Sequence, residues 1–168
     1  MRKRSLARET ALKILYQKEI TRRTIAQAIE KYWSDEIKID GDVRHFADRL
    51  TQGVDEHLTD IDKKISFYAT NWQLKRMAII DRNILRLGVF ELLYAPDIPP
   101  VVSINEAVEL AKKYGDVESS KFVNGILDKI HKSEIISKVQ PDKSGPVPTP
   151  DAGSTDQAKK HIPENNGQ

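Results

Sequence analysis

The sequence predicts an all-α fold, and three observations carry that expectation. Apolar residues recur at three- and four-residue intervals through the first 136 residues, the period that gathers side chains on one face of a helix. No segment alternates apolar and polar residues over a strand's length, and no hairpin turn separates β-branched runs. Prolines stay out of the periodic segments and stand between or after them, as at Pro96, Pro99 and Pro100, where they interrupt no helical hydrogen bond.

The elements follow in order. A first helix over about residues 4–20 carries Leu6, Ala7, Ala11, Ile14 and Leu15 on its inner face. A second, over about 22–34, turns Ile25, Ala28, Ile29 and Tyr32 inward. Gly41 separates it from a third that begins near Asp42 and buries Val43, Phe46, Ala47, Leu50, Val54 and Leu58. Thr59 with Asp62 marks a fresh start, with Ile61, Ile65 and Tyr68 on the inner side. Asn71 and Trp72 open a short turn or helix.

From Met77 to Tyr94 the chain is apolar almost all round, the mark of a helix at the centre of its bundle. Pro96 ends it, and Pro99 and Pro100 keep it from running on. Ser103 and Glu106 have the S-x-x-E spacing of a capping box, and Gly115 stands where a left-handed C-terminal cap belongs. The last helix carries Phe122, Val123, Ile126, Leu127 and Ile130 on one face. Gly125 inside it costs about 0.8–1 kcal/mol relative to Ala, a cost assigned to close helix–helix approach.

Residues 1–136 form the folded region and 137–168 a tail. From Val139 onward there are five prolines, three glycines and no aromatic residue, too little apolar surface to offset the entropy of ordering, so the tail is expected to be disordered. A charged fraction of 31% and a hydrophobic fraction of 39% suit a modest core, and no apolar run is long enough to span a bilayer. The basic N-terminus lacks the apolar stretch of a secretory signal. The absence of cysteine excludes disulfides and thiolate chemistry and fits a reducing cytoplasm.

Motifs for catalysis are missing. The four histidines show no zinc-ligand spacing, and Asp40-Gly41-Asp42 lacks the rest of a calcium loop. There is no phosphate-cradling glycine loop and no nucleophile elbow. The expectation is a protein without catalytic residues, metal or cofactor.

Charge is the better lead. The net charge of +2 hides a stretch, residues 1–31, with nine basic and three acidic residues. Arg2, Lys3, Arg4 and Arg8 open the first helix, where the helix dipole prefers acidic residues by about 0.3–1 kcal/mol per charge. Arg4 and Arg8 are one turn apart, and Tyr16 lies further along the same helix. Cations beside an aromatic ring suit the phosphates and π-faces of unpaired RNA; a basic solubilising terminus and a half-buried packing tyrosine are the plainer readings. Glu118, Lys121 and Phe122 make a similar constellation in the last helix, where Phe122 also reads as core.

Four segments carry a family resemblance: INEAVELAK (104–112), KFVNGILD (121–128), DRNILRLGVFEL (81–92), and Ala7-Arg8-Glu9 followed by Leu15-Tyr16. Over about residues 4–132 the chain resembles the NusB family of transcription antitermination factors. The resemblance implies seven helices in two small packed bundles. It also implies binding of the boxA element of nascent ribosomal RNA leaders together with NusE, a small-subunit ribosomal protein, in the antitermination complex on RNA polymerase. Arg4, Arg8, Tyr16, Glu118, Lys121 and Phe122 would then contact RNA, and Asp81 would contact NusE. Some members self-associate, so a homodimer is open. Ser5 and Leu6 interrupt the family's denser arginine run, Glu118 stands where Asp is common, and the tail receives no role. The alternative is a helical scaffold that binds proteins alone; an RNA methyltransferase is set aside, because the chain has neither a cysteine nucleophile nor an α/β cofactor domain.

Overall fold

The computed structural model describes residues 2–139. Seven helices of ten or more residues follow one another: α1 (Lys3–Thr21), α2 (Ile25–Ser34), α3 (Gly41–Glu56), α4 (Leu58–Tyr68), α5 (Ile79–Tyr94), α6 (Pro100–Tyr114) and α7 (Ser119–Ile130). A 3₁₀ turn at Leu74–Arg76 precedes α5. Beyond α7 the chain continues as a π-helical segment, His131–Ile136, and a last turn, α8 (Ser137–Val139). No strand occurs among the described residues. Residues 137–139, expected to begin the tail, extend the helix instead; the rest of the expected tail lies outside the described residues.

The two expected bundles are α1–α3 and α4–α7. They share α5, which packs against α1, α3, α4, α6 and α7. Ile84, Leu85, Leu87 and Val89 are wholly or almost wholly buried there, so one continuous core serves both halves. The close passage of α5 and α7 depends on Gly88: a Cβ at that position would lie 2.7 Å from Leu127 Cδ1. Gly125 does not play that part. It is exposed, with nothing within 4 Å of an added Cβ, and its place in the helix has no packing reason.

Helix ends depart from the sequence reading in instructive ways. Thr24 and Gln27 form a reciprocal capping box at α2, and Asp40 caps α3 by accepting from the Asp42 and Val43 amides, so Gly41 opens that helix rather than standing before it. His57 both closes α3 and opens α4, and Thr59 caps nothing. α6 starts at Pro100 without a side-chain cap, because proline's fixed φ and missing N–H suit a first helical position. Ser103 therefore falls inside the helix, fully buried, and donates to Glu91 Oε1 at 3.1 Å. Gly115 is extended, with φ −88°. Glycine is needed there for room, since a Cβ would meet Ser119 Oγ at 2.5 Å. Asp116 then receives the Glu118 and Ser119 amides and starts α7. Leu6, expected on the inner face of α1, is 42% exposed.

Candidate nucleic-acid interface

The first turn of α1 holds no acidic residue, yet its cations meet different fates. The Lys3 amine sits 2.9 Å from Asp42 and 3.2 Å from Asp40 at the start of α3, and its charge is spent on that neighbouring helix end. Arg4 is exposed, its guanidinium over the Phe46 ring at 4.7 Å. Among the described residues it has no ion-pair partner, so stacking orients the group while leaving its donors to solvent.

Arg8 is placed differently. One turn below Arg4, it is only 2% exposed. Its Nε lies 3.1 and 3.0 Å from the two Glu91 carboxylate oxygens, and its Nη2 lies 2.6 Å from Oε1. Ser103 donates to the same carboxylate, and Ser5 on α1 donates to Glu106 at 2.8 Å. This polar network ties α1 to α5 and α6. Nε and Nη2 of Arg8 bond inside the fold and Nη1 lies 3.8 Å from Glu106 Oε1, so the buried guanidinium braces α1, 5.3 Å from the Phe46 ring.

Further along α1, Glu9 pairs with Lys113 and accepts from the Tyr114 hydroxyl at the end of α6. Near the C-terminus of α1, Glu19 accepts from Arg82 and Arg86 at the head of α5. α1 thus runs from the middle of α6, past its end, to the first half of α5. Tyr16 lies in this later stretch, 38% exposed. The axial rise from Arg4 to Tyr16 is about 18 Å at 1.5 Å per residue.

At the head of α5 the chain forms a notch of about 210 Å³. Asp81, Glu118 and Phe122 line it together, so the candidate protein contact and two candidate RNA residues are neighbours. Trp72 and Arg76 line it as well. The Trp72 ring is 57% exposed and meets the half-buried Phe122 ring edge-on, centroids 5.9 Å apart and planes at 69°. Phe122 thus stands at the edge of the core, with one side of its ring in the notch. Lys121 is exposed on the adjacent turn of α7 and does not line the notch.

Asp81 is half-buried, and its Oδ1 is buried without a hydrogen-bond partner among the described residues. Burial pushes its carboxyl above the usual range and the Asp116 charge adds to this, while the nearby Ser119 hydroxyl opposes it. Sequence reasoning missed Trp72 and Arg76. The available signal was a large aromatic residue in a polar, basic connection where no core face called for one.

The fold and this surface define a class: an all-helical protein with a basic helix start and an aromatic notch. The NusB family profile matches residues 5–132, and the chain belongs to that family. It is 52% identical to the transcription antitermination protein NusB of Myxococcus xanthus over 130 residues, 76% of this chain and 93% of the relative. Its structure is similar to that of T. maritima NusB, with a TM-score of 0.72, 41% identity and coverage of 79% of this chain and 92% of that one. A chain in the solved complex of antitermination factors NusB and NusE with double-stranded RNA matches at a TM-score of 0.72 and 31% identity, covering 79% and 98%.

Proposed function

We propose that this protein is a non-enzymatic antitermination factor that binds the boxA element of a nascent ribosomal RNA leader together with NusE and joins the antitermination complex on RNA polymerase. The observation that carries this reading is Arg4: an exposed guanidinium, oriented by Phe46 and without an ion-pair partner among the described residues, at a helix start that holds no acidic residue. Family membership and the solved complex of NusB and NusE with RNA support it.

In this reading Arg4 and Lys121 hold phosphates, Tyr16 and Phe122 contact unstacked bases, and Glu118 accepts from a base edge. NusE docks at the head of α5, around Asp81, so that RNA and protein meet across the notch. Arg8 contributes by bracing α1.

A titration of boxA RNA, with and without NusE, tests the proposal at two salt concentrations. Affinity should fall by about 0.7 log units per log unit of salt for each phosphate neutralised. Arg4→Ala should weaken every RNA alike and reduce that slope by about the share of one phosphate. An affinity that does not respond to salt, or an unaltered slope in Arg4→Ala, would refute the mechanism. Capture of NusE with no RNA signal under any condition would establish the protein-only scaffold.

A further inference from the structure

The notch has more built into it than a docking edge requires. Two aromatic rings wall it, a carboxylate that lines it keeps one oxygen buried without a hydrogen-bond partner among the described residues, and a cation with no ion-pair partner among those residues lines it too. We propose that the notch reads one unstacked RNA base bearing an amino group, with Trp72 and Phe122 as walls, Asp81 accepting from the amino edge and Arg76 at the attached phosphate. The inference rests on the RNA reading above and adds Trp72, Arg76 and Asp81 to the residues that meet the transcript.

Size, shape and charge point the same way. Ligand pockets for drug-sized molecules run to roughly 300–1,000 Å³, and this notch, at about 210 Å³, has room for a single ring system. With the two rings set edge-on, a planar guest can lie against one face while the other ring closes its edge. The Asp81 carboxylate lines the notch with acceptor capacity that no donor among the described residues takes up at Oδ1, and a donor brought by a guest would use it. Adenine, cytosine and guanine each present an amino group, as cytosine N4 does to Asp and Glu in known pairings, whereas uracil has none.

The rival guest is a lysine or arginine side chain from the partner protein, which carboxylates and aromatic faces also attract. Arg76 argues against it. An incoming cation would meet that guanidinium, while a nucleotide brings a phosphate that Arg76 can bind.

The chain has two tryptophans, and Trp33 is buried with its indole N–H donated to Asp48 at 2.8 Å. Fluorescence lost on ligand binding, and absent from Trp72→Phe, therefore reports on the notch. The experiment adds single-stranded boxA RNA to the full chain without NusE, then repeats it with each nucleotide in turn made abasic or replaced by uridine. The proposal expects RNA to quench Trp72. One abasic position should remove the quench and weaken binding by about 5- to 150-fold, the range of base–aromatic stacking. Uridine at that position should also weaken binding. Asp81→Asn should narrow the gap between the preferred base and uridine, because the amide carries a donor of its own; this variant removes an ill-solvated charge and keeps the fold.

RNA bound at full affinity with Trp72 fluorescence unchanged would overturn the proposal. So would quenching of Trp72 by NusE alone, with no RNA present, which would assign the notch to a partner side chain. In both cases the RNA-binding reading survives. If no RNA binds even with NusE present, both readings fail together.

Discussion

Arg4 and Arg8 have the same sequence credentials and opposite fates, and the cause lies far along the chain. Both are arginines on one helix, four residues apart, and both guanidiniums lie near the Phe46 ring, at 4.7 and 5.3 Å. What separates them is Glu91, 83 positions beyond Arg8, a buried acid on a helix whose apolar pattern announces its burial but not the cation that the acid holds. An arginine in an apolar environment must find an anion, so Glu91 within the FEL of the central helix was the available clue. Arg8→Ala would leave Glu91 buried without its cation, and the expected loss is about 3–5 kcal/mol of folding stability, read from the urea midpoint. Arg4→Ala should leave that midpoint within about 0.5 kcal/mol, as for surface changes generally. A stable Arg8→Ala protein would show that Arg8 is no brace.

At the scale of the helix, periodicity fared better than punctuation. The inner faces of α3, α5 and α7 lie where their apolar spacing put them, because burial of one stripe is what selects a helix in water. Helix ends were harder to place. At α6 the S-x-x-E spacing of Ser103 and Glu106 matched a capping box, but Pro100 already supplies a suitable start three residues earlier. Ser103 was left to serve the Glu91 network, which no local rule describes. Gly125 was likewise credited with a contact that belongs to Gly88.

The two glycines now predict opposite outcomes. Gly125→Ala should stabilise the protein by about 0.8–1 kcal/mol, the helix-propensity difference, since an added methyl meets nothing within 4 Å. Gly88→Ala should destabilise it by about 1–3 kcal/mol, because the methyl must displace the buried Leu127 side chain. Thermal unfolding of both variants decides. Equal shifts of the same sign would mean that the α5–α7 approach is not limited by Gly88.

For the whole molecule, the segment after α7 is fastened by charge. Glu134 accepts from Lys64 at 2.7 Å and from Tyr68 at 2.9 Å, both on α4. The Lys64 amine is the main reason its carboxyl is held down at about 2, against an ordinary 4.5. A depressed carboxyl adds stability that is complete above its unfolded value and is lost as the pH falls through the folded one. The fastening should therefore persist at neutral pH and weaken between about 4.5 and 2. Glu134→Gln should flatten the acid limb of the stability profile in that window, measured by denaturant midpoints. An unchanged limb would show that the contact does not contribute.

The same scale shows what the chain's order concealed about the site. Residues 72, 76, 81, 118 and 122 meet only because α4, α5 and α7 pack together at the head of α5. The sequence reading reached Glu118 and Phe122 by their one-turn spacing beside Lys121, and Asp81 by family likeness alone. The other two stand in a connection with no periodicity to interpret.

Because α5 is common to both halves and a single core runs through them, no joint separates Arg4 from the notch. On the proposed reading, in which Arg4 and the notch both hold the transcript, the molecule is a fixed gauge laid along a strand. A transcript with one nucleotide inserted between the two grips would have to loop it outward or forgo one of them, so the spacing of a preferred site is dictated by the length of a rod.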